Sequence, residues 1–432
     1  MKLTRSFSAV VVAAVALSSI ALAQRPGMGG PPGPRVVSPE VSREGTVTFR
    51  ILAPKAEKVQ LMDSDIGGML SGAGPGPLAG SSVPAVPLGT KMPQGGLVFT
   101  KNADGVWEAS FGPVPPGAYR YAFLVDGVRV LDPANTHTSE SNTMVWSMFS
   151  VSGSPLMDPR DVPHGAVASV FYNSQVLQTT RRMHIYTPPG YEAGTRKYPV
   201  FYLLHGAMDT DDAWPSVGRA GFILDNLLAD GKIKPMIVVM PAGHQPGQPG
   251  MPGMGAAPPA PGAPPAVNPF TAEFMTDIIP YVERNYRTIN DRRHRAIAGL
   301  SMGGFQTLDI ALLHLDKFSA IGVFSSGAVL GRGRRGPAPA PDTPPSATPA
   351  PSPQEAWETA HQPDLDNASL KKGLKLIWVS TGVDDSLMAN TKTTVEILKK
   401  HGFKPVFVES PGAHTWFNWR NYLIEFAPQL FY

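Results

Sequence analysis

Three side chains in this 432-residue sequence have the types that nucleophilic catalysis needs: Ser301, Asp385 and His414. Ser301 lies in Gly299-Leu300-Ser301-Met302-Gly303-Gly304, a G-x-S-x-G pattern that presents a serine on a sharp turn between a strand and a helix. Glycines at 299 and 303 remove the Cβ atoms that would collide in so tight a turn. A serine hydroxyl is a weak nucleophile at neutral pH, so it needs a base, and the base needs a carboxylate to orient it. His414, in Ser410-Pro411-Gly412-Ala413-His414-Thr415-Trp416, is the candidate base. Asp385 is the candidate acid, with its neighbour Asp384 as the alternative. His205 is expected to be structural, and His137, His164, His184, His244, His294, His314, His361 and His401 to be surface or core residues, because none has a comparable setting.

These groups can meet only if a sheet brings them to one edge. Residues 295–298 read as a short buried strand, and Phe305, Leu308, Leu312 and Leu315 recur at helical spacing after it. A second candidate strand, 374–379, runs into the loop of Asp385, and a third, 404–409, runs into the loop of His414. Between that acid and that histidine there is room for one helix, about 388–401, and one strand, the unit by which a parallel sheet grows. The apolar run Tyr198 to Leu204, ending in His205-Gly206-Ala207, reads as a buried strand and its loop. Serine, acid and histidine thus follow one another in the order of α/β-hydrolases.

Five motifs carry a closer resemblance: Tyr186-Thr187-Pro188-Pro189-Gly190-Tyr191, Tyr202-Leu203-Leu204-His205-Gly206, Ile279-Pro280-Tyr281-Val282-Glu283 with Tyr286-Arg287, the Ser301 motif, and Pro411-Gly412-Ala413-His414-Thr415-Trp416. From about residue 161 to 432 the chain resembles the esterase D-like branch of the α/β-hydrolases, the group holding feruloyl and acetyl-xylan esterases of carbohydrate esterase family 1 and enterochelin esterase-like proteins. The resemblance implies a mostly parallel α/β-hydrolase domain with Ser301 as nucleophile, Asp385 as acid and His414 as base. It also implies an oxyanion hole made by the backbone N–H groups of Ala207 and Met302. Trp214, beyond the His205-Gly206 loop, is a candidate to flank an aromatic acyl group. Trp416 and Trp419 are expected to pack the last helix.

Upstream, about 36–153, the pattern is all-β. Val47, Phe49 and Ile51 alternate, 106–111 and 119–125 read as strands, and Asp126-Gly127 turns the latter back into 128–130. The region resembles a small Ig-like sandwich of the glycogen-binding type placed before several esterases, through Gly105-Val106-Trp107, Pro116-Gly117-Ala118-Tyr119 and Asp132-Pro133-Ala134-Asn135. Trp107, Tyr119, Tyr121 and Phe123 could stack on a sugar, but their alternating spacing also fits a core. A docking role against the catalytic domain is equally compatible. A linker, 154–163, separates this region from the hydrolase domain, 164–432.

Residues 1–23 have the form of a cleaved secretory signal: Lys2 and Arg5, an apolar stretch, then Ala21-Leu22-Ala23. The alternative is an uncleaved anchor, although the run is short for a spanning helix. A Pro/Gly-rich linker, 24–35, follows. The formal net charge of +3 falls to about +1 without the signal, which gives no electrostatic reason to expect nucleic-acid binding. With no cysteine, disulfides are excluded. No phosphate-loop, dinucleotide or clustered metal-ligand pattern is present, so no cofactor and no metal is expected. Two low-complexity insertions, 245–268 and 331–353, follow candidate strands 236–240 and 320–324. They would emerge on the Ser301 face, either as a rim that limits which esters enter or as inert insertions.

The expected function is that of a secreted or periplasmic serine esterase acting on feruloyl or acetyl groups of plant polysaccharide. A siderophore esterase is the alternative within the same chemistry. A non-catalytic carbohydrate-binding protein is the alternative from another class.

Overall fold

A computed structural model describes residues 34–63, 65, 96–245, 268–329 and 352–432. The expected signal, almost all of the linker after it, and nearly all of both low-complexity insertions lie outside these residues. Val36–Tyr432 form one compact unit.

The central sheet follows from five short runs of apolar and small residues, broken only by Arg295 at the start of one. β12 (Val200–Leu204), β13 (Ile237–Pro241), β14 (Arg295–Leu300) and β15 (Ala320–Phe324) are buried along their whole length, and β16 (Leu376–Gly382) nearly so. Such runs suit parallel strands covered on both faces. With β10 (Ala166–Ser174), β11 (Thr179–Thr187) and β17 (Val406–Ser410) they form an eight-stranded sheet in the order β10-β11-β13-β12-β14-β15-β16-β17. The six strands from β12 to β17 are parallel, whereas β10 and β11 are antiparallel. The period-two rule decides which face each side chain joins. Val200, Tyr202, Leu204 and Ile297 pack with the helices Met302–Leu313 and Met388–Lys400, while Phe201, Leu203, Ala296, Ala298 and Leu300 pack with Ala220–Ala229 and Trp416–Phe426. The result is three layers.

Strand order reverses beside β12: β13 lies on one side of it and β14 on the other, with Leu204 opposite Gly299 in the β12–β14 register. Ligands of open α/β sheets bind at the carboxyl ends of strands where the order switches. The loops bearing Ala207 and Ser301 leave the sheet at that crevice.

Ahead of this sheet, nine strands among the described residues make two antiparallel sheets. One has the order β1 (Glu40–Val41), β2 (Val47–Leu52), β5 (Val106–Phe111), β4 (Thr100–Lys101). The other has the order β3 (Val59–Asp63), β6 (Gly117–Val125), β9 (Val145–Val151), β8 (Thr138–Glu140), with β7 (Val128–Val130) on β6. Phe49, Tyr119, Tyr121, Phe123 and Phe149 fill the space between them and are buried. Trp107 is half-buried, with its indole N–H donating to Ala53 O at 3.0 Å. Phe417, from the helix Trp416–Phe426, joins the same apolar cluster, so the all-β region and the hydrolase fold share core. The stretch 154–163 is packed as well: Leu156 and Met157 are buried, and Asn226 Nδ2 donates to Leu156 O at 3.0 Å.

Candidate active site

Ser301 is held in its turn by the sheet below it. Its φ of 51° lies in the region that L-residues avoid, and its N–H donates to Phe324 O, across β14 and β15, at 2.8 Å. Ser326 Oγ donates to Ser301 O at 2.6 Å and pins the other side of the turn. The two glycines are required by contact. A Cβ on Gly299 would lie 2.3 Å from Gly303 O, and one on Gly303 would lie 2.6 Å from His205 O.

Ser301 Oγ is 2.9 Å from His414 Nε2, and His414 Nδ1 is 3.0 Å from Asp385 Oδ2. Asp385 is buried, whereas Asp384 is exposed and its backbone N–H bonds Gly412 O. Of the two carboxylates, Asp385 is the one that meets the histidine. Burial works to raise its pKa, but the hydrogen bond and charge of His414, with the Leu387 N–H at 2.8 Å, hold the carboxyl below its ordinary range. Trp419 packs edge-on to the His414 ring, with centroids 5.0 Å apart, and limits its rotation.

The loop after β12 passes close to the nucleophile: a Cβ on Gly206 would lie 3.5 Å from Ser301 Cβ. Ala207, next in the chain, is buried. Met302 opens the helix Met302–Leu313, so its N–H has no acceptor within the helix. His205 behaves as the sequence suggests. Gly243 N–H donates to its Nε2 at 2.8 Å, which leaves Nδ1 as the protonated atom, donating to Gly206 O at 2.8 Å. Burial lowers its pKa, so the ring stays neutral.

Trp214 is not where the sequence reading places it. It is 1% exposed, its N–H bonds Leu204 O at 3.1 Å and its ring abuts Trp416, so it supports the loop from behind and does not face a ligand. Sequence reasoning missed Met208 and Asn142. Met208 is 68% exposed beside Ala207, and Asn142, from the all-β region, accepts no role from any motif yet donates to Met208 O through its N–H at 3.0 Å. Among the described residues no cluster of His, Asp and Glu could hold a metal ion, and no helix is long and apolar enough to cross a membrane.

A parallel sheet with a serine on a strained strand-to-helix turn, hydrogen-bonded to a carboxylate-backed histidine, defines the class of α/β-hydrolases. Residues 174–430 match the protein family described as "Putative esterase", and the chain belongs to that family. The chain is 29% identical over 410 residues to an endo-1,4-beta-xylanase/feruloyl esterase of Xylanibacter ruminicola, an alignment covering 91% of this chain and 46% of that protein. It is 31% identical over 152 residues to an esterase of Mycobacterium tuberculosis, covering 35% of this chain and 30% of that one. The chain thus spans less than half the length of these curated relatives. Among solved structures, it shares the fold of a feruloyl esterase module of Clostridium thermocellum solved with sinapinate, at 23% identity and TM-score 0.51, covering 65% of this chain and 93% of that one. It also shares the fold of an enterobactin esterase of Shigella flexneri, at 14% identity and TM-score 0.55, covering 89% and 92%.

Proposed function

We propose that the chain is an exported serine esterase that removes feruloyl or acetyl groups from plant polysaccharide. The observation that carries this reading is the hydrogen-bonded line Ser301 Oγ, His414 Nε2, His414 Nδ1, Asp385. Nδ1 donates to Asp385, which leaves Nε2 as the acceptor of the serine proton. As Oγ attacks the ester carbonyl, its proton passes to Nε2 and negative charge gathers on the former carbonyl oxygen. The N–H groups of Ala207 and Met302 receive that charge, each worth roughly 10²- to 10³-fold in rate. His414 then returns the proton to the leaving alcohol, leaving an acyl group on Ser301. Water, deprotonated by His414, attacks the acyl carbon and frees the acid and the serine.

Feruloyl substrates are favoured by the relative from Xylanibacter ruminicola, a named feruloyl esterase that aligns with 91% of this chain. The N-terminal residues 1–23 favour export. A siderophore ester is the second reading, favoured by the enterobactin esterase whose fold matches 89% of the chain, the all-β region included. Product analysis after incubation with feruloylated arabinoxylan, acetylated xylan and a catecholate siderophore tests both. Release of ferulate or acetate by the wild-type chain, absent in Ser301→Ala, is expected. Cleavage of the siderophore alone would replace the first reading with the second, and an inert wild-type chain would refute both.

A further inference from the structure

The N–H of Ala207 belongs to the same peptide unit as Gly206 C=O. In a trans peptide these two groups point in opposite directions, so whatever fixes the oxygen also aims the N–H. Gly206 O accepts from His205 Nδ1 at 2.8 Å and from Asp209 N–H at 3.1 Å. Asp209 is itself buried, and its carboxylate meets Arg120, a residue of β6 in the all-β region. The Arg120 guanidinium divides its donors: Nη1 to Asp209 Oδ1 at 2.5 Å, Nε to Ser139 Oγ at 2.9 Å and Nη2 to Glu140 O at 2.9 Å. It is 3% exposed, so the geometry of this fork is set by packing and not by solvent.

The same region grips the loop a second time. Ser141 pairs with Asp209 in an antiparallel bridge, and Asn142 donates to Met208 O at 3.0 Å and, through Nδ2, to Ala207 O at 3.5 Å. The main chain just after the Ala207 N–H is therefore tied to residues 120–142, and Gly206 O, just before it, is held by His205 and by the Asp209 that Arg120 grips. We infer that the all-β region is a working part of the catalytic centre: Arg120, through Asp209, is a positioning residue that aims the Ala207 N–H at the oxygen on which charge develops.

The inference rests on the serine-esterase reading, and the test separates the two. In the full chain, Arg120→Met and Arg120→Lys are compared with wild type on para-nitrophenyl acetate and methyl ferulate, below the melting transition of each. Inhibition by phenylboronic acid is measured alongside, because its tetrahedral adduct on Ser301 places an oxygen in the oxyanion site. A misplaced donor should lower kcat by about 10- to 100-fold in Arg120→Met with KM within about threefold. Boronate affinity should fall by a similar factor, and Arg120→Lys should recover part of both. A merely adhesive arginine would lower the melting temperature and leave kcat and boronate affinity at wild-type values, which would overturn the inference. Should Arg120→Met not fold, Arg120→Lys decides by the same criteria. A wild-type chain that hydrolyses neither ester would instead refute the esterase reading, before any variant is compared.

Discussion

His414 is the only one of the ten histidines whose ring is held between a carboxylate and a serine hydroxyl among the described residues. Each member of that line has a separable consequence. Ser301→Ala and His414→Ala should abolish turnover with the melting temperature nearly unchanged, as an activity assay beside a thermal melt would read. Asp385→Asn keeps the shape but cannot accept from Nδ1–H as a carboxylate does, and should cost on the order of 10⁴-fold in kcat. An Asp384→Asn variant should stay near wild type, since that side chain is exposed and away from the histidine. The sequence showed which residues to look at here because the chemistry dictates their types and the fold dictates their order. It misplaced Trp214, since an indole near an oxyanion loop reads the same whether it faces ligand or core, and its burial is settled by Trp416, some two hundred residues away.

The strands and helices that carry these groups are readable to within two or three residues: the strand expected at 374–379 is Leu376–Gly382. Residues 295–298 lie within β14, 404–409 overlaps β17, and the helix expected at 388–401 is Met388–Lys400. Wholly apolar runs and helical spacing are local signals. The hairpin β10–β11 leaves no such local mark, and the physical reason is its turn: the residue at positive φ is Gln178, without the Gly or Asn that marks such turns. The turn at Ser301 makes its own prediction. Because a Cβ at 303 would lie 2.6 Å from His205 O and 2.7 Å from Leu204 Cβ, Gly303→Ala must push the loop of Ala207 away from the nucleophile. The expected result is a loss of about 100-fold or more in kcat, checked by steady-state kinetics on soluble protein.

For the molecule as a whole, the shared core around Phe417 and the buried Arg120–Asp209 pair predict that the all-β region and the hydrolase fold unfold together. Calorimetry should record one transition, and two well-separated ones would contradict this. Another joint between the two regions should respond to acid. Asp211 lies 2.8 Å from Arg182 and 2.9 Å from His184, and Arg182 also pairs with Glu140 of β8. Burial alone would raise the Asp211 pKa, but these partners outweigh it and hold the group at about 2. A carboxyl depressed in the folded state stabilises above its unfolded pKa and loses that contribution as pH falls through the folded one. The window therefore runs from about pH 4 down to about pH 2, with on the order of 2 kcal/mol at stake. Urea melts across that window should show a shallower pH dependence for Asp211→Asn than for wild type.

What the amino-acid sequence determined unaided was the hydrolase architecture, the serine turn, and the chain order of Ser301, Asp385 and His414. Each is written in a few contiguous residues, where sterics and hydrophobic period act locally. Tertiary structure alone decided which of two adjacent aspartates meets the histidine, that Trp214 faces inward, and that a β-strand near residue 120 reaches the loop beside Ser301. These depend on which side chains are brought together from distant parts of the chain and on how much water is excluded between them, and no local pattern records either.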